Sequence, residues 1–196
     1  AYLVVREDNT TDDVEELDER LMAAPAVAIA QCRRIVDQMA SLADRALKDS
    51  MEMLENYSGK TAETIRAAED KTDRYEDTLG DYLVKLSSHS LSDSDRLETA
   101  ELLHLIGDYE RIADHAVNIL GSAEEMREKG ISFSAAAQKE LKIMCSAVSE
   151  FLDLSLKAYE TNDVKLAKQV EPLEEVVDTL KEQLRMRHIL RLQNGT

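Results

Sequence analysis

The spacing of apolar residues constrains this chain more than any other feature of its sequence. Between Thr61 and Leu86 one stripe recurs at alternating intervals of three and four residues: Ile65, Ala68, Thr72, Tyr75, Leu79, Tyr82 and Leu86. That interval keeps the side chains on one face of an α-helix, as in helices that pack nearly parallel. A second stripe, from Pro25 to about Asn56, has the same period: Ile29, Cys32, Val36, Met39, Ala43, Ala46 and Met53. The sequence therefore predicts an all-α fold.

Start and stop signals predict three further helices. The third begins near Asp93 and ends at a glycine cap, Gly130. Ser134 caps the fourth, and the fifth begins near Val164. Pro172 falls inside the fifth helix, and because proline lacks a backbone N–H we expect a kink or a break there.

The composition agrees with helices packed side by side and restricts the partners. The chain has only 6 Gly, 2 Pro and no Trp, so its core is built from aliphatic residues. The formal net charge of −16 makes nucleic acid a poor partner, whereas metal cations and basic proteins are suitable. Cys32 and Cys145 lie among apolar residues of separate helices and are interpreted as free buried thiols. No apolar run approaches the roughly 20 residues that cross a bilayer.

The two halves of the chain resemble each other at an offset of 105 residues. This offset superimposes Met39 on Met144 and Leu79 on Leu184, and it carries Leu91 onto the last residue. We therefore predict a linker at residues 1–24 and a complete three-helix repeat at residues 25–130. A second repeat at residues 131–196 would lack its third helix.

Acidic side chains follow helical spacing on three of the predicted helices. The second helix carries Glu69 and Asp73, the third carries Glu110, Asp114 and Asn118 with His115 beside them, and the fifth carries Glu174 and Asp178. Carboxylates four residues apart repel each other unless a positive charge lies between them. Oxygen ligands of this kind suit iron, manganese, magnesium, calcium or zinc, and His115 adds a nitrogen donor. The alternative is that these faces are ordinary solvated helix surfaces.

One enzymatic alternative rests on a short motif in the third helix. Glu101 and His104 have the Glu-x-x-His spacing of di-iron carboxylate bundles. Such sites need two of these pairs and two further glutamates, and the sequence offers one pair.

The third helix carries the most specific pattern of the chain, DYERIADHAVNI at residues 108–119. It resembles the signature of the third helix in PhoU-type phosphate-uptake regulators, which consist of two spectrin-repeat-like three-helix bundles. The acidic-x-x-x-Asp hallmark of that family maps onto Glu110 and Asp114, onto Glu69 and Asp73, and onto Glu174 and Asp178 in the second repeat.

A second resemblance concerns the segment before the first helix. LDERLM at residues 17–22 and APAVA at residues 24–28 are similar to the segment that joins membrane and soluble parts in bacterial sodium/phosphate cotransporters. These proteins end in a cytoplasmic PhoU-like domain. The chain begins with Ala1 and not Met, and residues 9–13 have the composition of a linker. We therefore expect a domain cut from a membrane parent, on the cytoplasmic side.

The resemblance implies a regulator of phosphate uptake that is not an enzyme. It implies an iron or zinc cluster held by Glu69, Asp73, Glu110 and Asp114, with Asn118 and His115 as accessory ligands. The expected partner is the transmembrane sodium/phosphate transport domain, and the apolar flanks of the last two helices would be covered by a homodimer or by the N-terminal segment. A stand-alone PhoU-type module that binds a basic partner without metal is the alternative.

Overall fold

The computed structural model describes residues 17–193. A 3-10 helix at Glu19–Ala23 precedes five α-helices: α1 Pro25–Met53, α2 Gly59–Ser87, α3 Asp93–Lys129, α4 Ala135–Glu160 and α5 Val164–Gln193. No strand occurs in this range. The prediction of an all-α fold is confirmed for this range. The linker predicted at residues 9–13 lies outside the described residues.

Local capping explains where the helices end. The φ of Gly130 is +62°, a conformation that glycine adopts without steric cost, and it terminates α3. Ser134 caps α4 by accepting a hydrogen bond from the backbone N–H of Ala137. Asn162, with φ of +49°, ends α4 in the same left-handed conformation. Asp163 then caps the start of α5, because its carboxylate accepts hydrogen bonds from the backbone N–H groups of Lys165 and Leu166.

The chain folds into two compact units, and the first contains residues 17–46 and Thr64–His115. Its core consists of the stripes that the sequence predicts, since Val36, Tyr75 and Leu79 are all 0% exposed. An ion pair of 2.8 Å between Arg33 Nη2 and Glu98 Oε1 connects α1 to α3. The apolar stripes thus account for the packing of this unit.

The second unit contains Leu47–Glu63 and residues 116–193. Here α4 packs against α5, and Lys142 Nζ on α4 lies 3.1 Å from Glu55 Oε2. Leu152 and Ala158 of α4 are buried, but no described residue of α5 is fully buried. The last helix is therefore less completely covered than the others.

The offset of 105 residues relates the helices as well as the sequence. It places the start of α5, Val164, on the start of α2, Gly59. Most residues at the equivalent positions of α2 are buried, whereas their counterparts on the apolar stripe of α5 are only half-buried. These counterparts are Leu166, Val170, Leu173, Val177, Leu180 and Leu184. The boundaries predicted at residues 24/25 and 130/131 stay predictions.

Helix α5 continues through Pro172 without a break. The expectation of a split is wrong. Pro172 has no backbone N–H to donate to the carbonyl of Lys168, but both residues lie on an exposed side of the helix, where this carbonyl can bond water instead. None of the helices within residues 17–193 combines the length and the apolar character that a membrane span requires.

Both cysteines are free thiols. Cys32 is buried on α1, and burial raises its pKa to about 12. Cys145 is half-buried, and burial and the charge of Glu55 raise its pKa. Both groups are therefore protonated and unreactive at neutral pH.

Candidate functional site

The acidic faces of α2 and α3 lie side by side in the first unit. The two helices are in contact, since a Cβ built on Gly80 would lie 3.8 Å from Ile106 Cδ1. The helices run antiparallel, so that Glu69 in the N-terminal half of α2 interacts with Asp114 and Glu110 of α3. Glu69, Asp73, Glu110 and Asp114 are thus neighbours in space as well as members of matched motifs.

The pKa of Glu69 is raised above its ordinary value. Burial is the largest cause, and four neighbouring carboxylates add to it: Asp70, Asp114, Asp73 and Glu110. Two of these carboxylates belong to the other helix. The repulsion between α2 and α3 therefore centres on this half-buried glutamate.

Glu110 is the corresponding half-buried glutamate on α3. Its pKa is also raised, first by burial and then by the charges of Asp114, Glu76 and Asp73, while the adjacent Arg111 lowers it. Both glutamates favour the proton more than an isolated carboxylate does. A cation at this position would relieve the same repulsion.

The exposure of the candidate side chains on α2 and α3 determines which of them a dissolved metal ion can reach. Asp73 and Asp114 are exposed, and so are the accessory candidates His115 and Asn118 on α3. Within residues 17–193, no three His, Cys, Asp or Glu side chains converge on a point where they would hold a metal ion. The donor set fits a hard or borderline cation chemically, but its side chains would have to turn toward each other to coordinate one.

Glu76 is a member of the cluster that the sequence reasoning missed. It lies on α2 and contributes to the raised pKa of Glu110. The signal was available, because Glu76 follows Asp73 by three residues and therefore lies on the same side of the helix. The acidic surface is larger than the paired motif alone predicts.

Comparison with known proteins bears on the same residues. A family model described as "PhoU domain" matches residues 36–123 and 141–196. The chain belongs to the PhoU domain family. The two matched segments begin 105 residues apart, which is the offset of the internal repeat. The first segment includes all four principal site residues, and the second includes Glu174 and Asp178.

One curated relative supports the assignment to the PhoU family over most of the chain. It is the phosphate-specific transport system accessory protein PhoU homolog 1 of Thermotoga maritima, which is 24% identical over 161 residues. The match covers 82% of this chain and 68% of the relative. No solved structure matches.

The second PhoU repeat presents a different electrostatic surface from the first. Glu174 and Asp178 are exposed on α5, and Lys181 Nζ lies 2.6 Å from Asp178 Oδ1. The hydrogen bond to Asp178 raises the pKa of Lys181. At the offset of 105 residues, Lys181 stands where the first repeat has Glu76. A lysine thus neutralises the position that adds negative charge to the cluster in the first repeat.

The di-iron motif lies on the outside of the PhoU fold. Glu101 and His104 are both exposed on α3. A di-iron carboxylate site projects its ligands into the interior of a helical bundle. The positions of these two residues therefore do not favour that alternative.

Proposed function

We propose that this chain is a PhoU-type regulatory domain that controls phosphate uptake and catalyses no reaction itself. The assignment to the PhoU domain family supports this role, and so does the relative that its name describes as a phosphate transport accessory protein. A site whose occupancy changes how the helices are held together would give such a domain two states to signal with. The acidic cluster between α2 and α3 is our candidate for that site.

We propose further that Glu69, Asp73, Glu110 and Asp114 hold an iron or zinc cluster, with His115 and Asn118 as accessory ligands. The observation that carries this proposal is the meeting of the two acidic faces at Glu69 and Glu110. Burial, and then the carboxylates of both helices, raise the pKa of each glutamate. A bound cation would supply positive charge where this repulsion is concentrated. It would also cross-link α2 to α3, because each helix contributes one glutamate and one aspartate.

The occupied site would then stabilise one arrangement of the first unit over others. A ligand that binds one conformation more tightly shifts the population toward it by its difference in affinity. In the metal-free protein the same four carboxylates push the two helices apart. Metal occupancy is thus a two-state signal that a transport partner could read.

The finer part of the proposal places this domain on the cytoplasmic side of a sodium-dependent phosphate transporter, after its membrane domain. The resemblance of residues 17–28 to the joining segment of such cotransporters supports it. This segment is docked on the first unit, since Met22 is buried and the hydroxyl of Tyr82 donates to the carbonyl of Asp18 at 3.0 Å. An ion pair of 2.8 Å between Lys85 and Glu19 also connects it to α2. A movement of α2 would therefore reach the joining segment directly.

The second candidate is a PhoU-type interaction module that binds a basic partner without metal. A polar cleft of about 450 Å³ favours it, because Asp77, Asp81 and Glu19 line this cleft beside Lys85. Binding of a basic partner would weaken with added salt and would not respond to chelators. Metal-dependent regulation would instead be lost on addition of a chelator and would respond little to added salt.

An uptake assay tests the proposal. Cells that lack their own PhoU-type control of phosphate uptake would carry either the wild-type protein or the Glu69→Ala, Asp73→Ala, Glu110→Ala, Asp114→Ala variant. The matched control is Glu174→Ala with Asp178→Ala, the same motif in the second repeat. We expect control to return with the wild type and with the matched control but not with the site variant.

Each alternative result has a distinct meaning. If no protein restores control, the regulatory role is wrong. If the four-residue variant restores control as well as the wild type, the metal site is wrong, and salt-sensitive binding that ignores chelators would support the interaction module.

A further inference from the structure

The last three turns of α5 carry a surface that the acidic motifs do not explain. From Gln183 to Gln193 the chain contains three Arg, one His and no Asp or Glu, although its overall net charge is −16. Met186, Ile189 and Leu190 are exposed in this segment, at 58%, 39% and 51%. Grouped apolar side chains of this size on a protein surface mark an interaction site more often than single ones do.

The spacing of these three residues makes them one continuous face. They stand at positions i, i+3 and i+4 of α5, so their side chains lie next to each other on the helix. Successive residues turn by about 100°, which places Arg185 on one border of the face and Arg187 on the other. Glu140 of α4 lies 3.4 Å from the Arg187 guanidinium and 2.7 Å from the Arg191 guanidinium, so one acid lies beside that border.

A comparison of the repeats argues against packing of a neighbouring bundle helix on this face. The offset of 105 residues places its three apolar side chains on Asp81, Val84 and Lys85 of α2, all of which are exposed. These positions stay exposed although α2 packs against α3 in the first unit. A helix packed on α5 as α3 packs on α2 would therefore leave the apolar face of α5 uncovered.

We propose that the face formed by Met186, Ile189 and Leu190 docks on the surface of a membrane that contains anionic lipid. An apolar helix face bordered by arginines is the pattern of helices that lie in the membrane interface. The apolar side chains enter the boundary of the acyl chains, while the guanidinium group of Arg185 reaches lipid phosphates. The guanidinium group of Arg187 does the same by exchanging its exposed ion pair with Glu140 for a phosphate.

The charge distribution of the chain favours this partner in spite of the overall negative charge. At physiological ionic strength charges are screened over about 8 Å, so acids on distant helices affect the docking face weakly. The nearby Glu140 pairs with Arg187 and Arg191, and the segment from Gln183 to Gln193 stays positive because it carries three Arg against this one acid. Each Lys or Arg near an anionic leaflet contributes about one kilocalorie per mole of attraction, which corresponds to roughly fivefold in affinity. The inference does not depend on metal binding between α2 and α3.

Sedimentation with vesicles tests the proposal on the whole chain. Vesicles of phosphatidylcholine alone would be compared with vesicles that also contain phosphatidylglycerol. The wild type is expected to bind the anionic vesicles at least about tenfold more strongly than the neutral ones. Ile189→Asp should reduce that binding by about tenfold or more, because it places a charge in the apolar face.

The control variant is Val84→Asp, which makes the same kind of change at the repeat-equivalent position on α2, where Val84 is 62% exposed. Circular dichroism verifies that both variants fold. Retained binding by Val84→Asp together with loss by Ile189→Asp supports the proposal. It is overturned if the wild type ignores anionic vesicles, if both variants lose binding equally, or if Ile189→Asp instead abolishes a dimer of the wild type.

Discussion

The charge of Glu69 should destabilise the metal-free protein, and Glu69→Gln should therefore stabilise it. Burial and the surrounding carboxylates raise the pKa of Glu69 above the ordinary 4.5. The folded protein thus binds this proton more tightly than the unfolded chain does, so the free energy of unfolding falls as pH rises from 4.5 through the raised pKa. Above that range the charged glutamate carries its full cost, and glutamine removes it.

The size of the effect follows from the neighbours of Glu69. The like-charged pair with Asp73, one turn further along α2, costs roughly 0.2–0.5 kcal/mol. Asp114 and Glu110 add repulsion from the facing helix, and burial adds to it. Because the site is open to solvent and salt screens it, we expect Glu69→Gln to raise the free energy of unfolding by about 0.5–1 kcal/mol at pH 7.

Urea denaturation at low ionic strength in the presence of a chelator measures this change. The matched control is Glu174→Gln, at the same repeat position on the exposed surface of α5, where we expect a change within about 0.5 kcal/mol. At a pH well below 4.5, where Glu69 is protonated in both states, the advantage of Glu69→Gln should disappear. A Glu69→Gln variant that is less stable than the wild type at pH 7, or whose advantage is the same at both pH values, would refute this reasoning.

Three further predictions concern stability and are measured by urea denaturation. Leu79→Ala should lower the free energy of unfolding by about 3 kcal/mol because Leu79 is fully buried. Its repeat counterpart Leu184→Ala should lower it by about 1 kcal/mol because Leu184 is half-buried. Equal losses would contradict the packing described for α5. Gly130→Ala should cost about 1–2 kcal/mol, since φ is +62° there, and a neutral result would show that this conformation is not required. Ser134→Ala should cost about 1 kcal/mol through loss of the cap on α4, and Ser134→Thr should retain most of that stability.

The apolar pattern predicted the first two helices and their buried faces because packing in the first unit follows the helical period. All seven residues of the α2 stripe are buried, including Thr72, whose hydroxyl bonds the carbonyl of Glu69. The ends of the helices were equally predictable, because glycine and serine have specific conformational roles there. The conformation of Gly130 is an example.

The remaining features depend on tertiary structure that periodicity does not report. The stripe of α5 has the same period as that of α2, yet Leu173 and Leu180 are only half-buried because burial depends on the neighbouring helix and not on spacing. Pro172 does not break α5, since an exposed carbonyl can bond water. The proximity of Glu76 to Glu110 likewise follows from the packing of α2 on α3.

Metal content is the measurement that tests the central proposal most directly. The protein would be purified without chelator and its iron and zinc determined by elemental analysis, alongside Glu110→Ala with Asp114→Ala and the control Glu174→Ala with Asp178→Ala. We predict stoichiometric metal in the wild type and in the control, and loss of that metal in the Glu110/Asp114 variant. A metal-free wild type, or equal metal in all three proteins, would contradict the assignment of a metal cluster to α2 and α3.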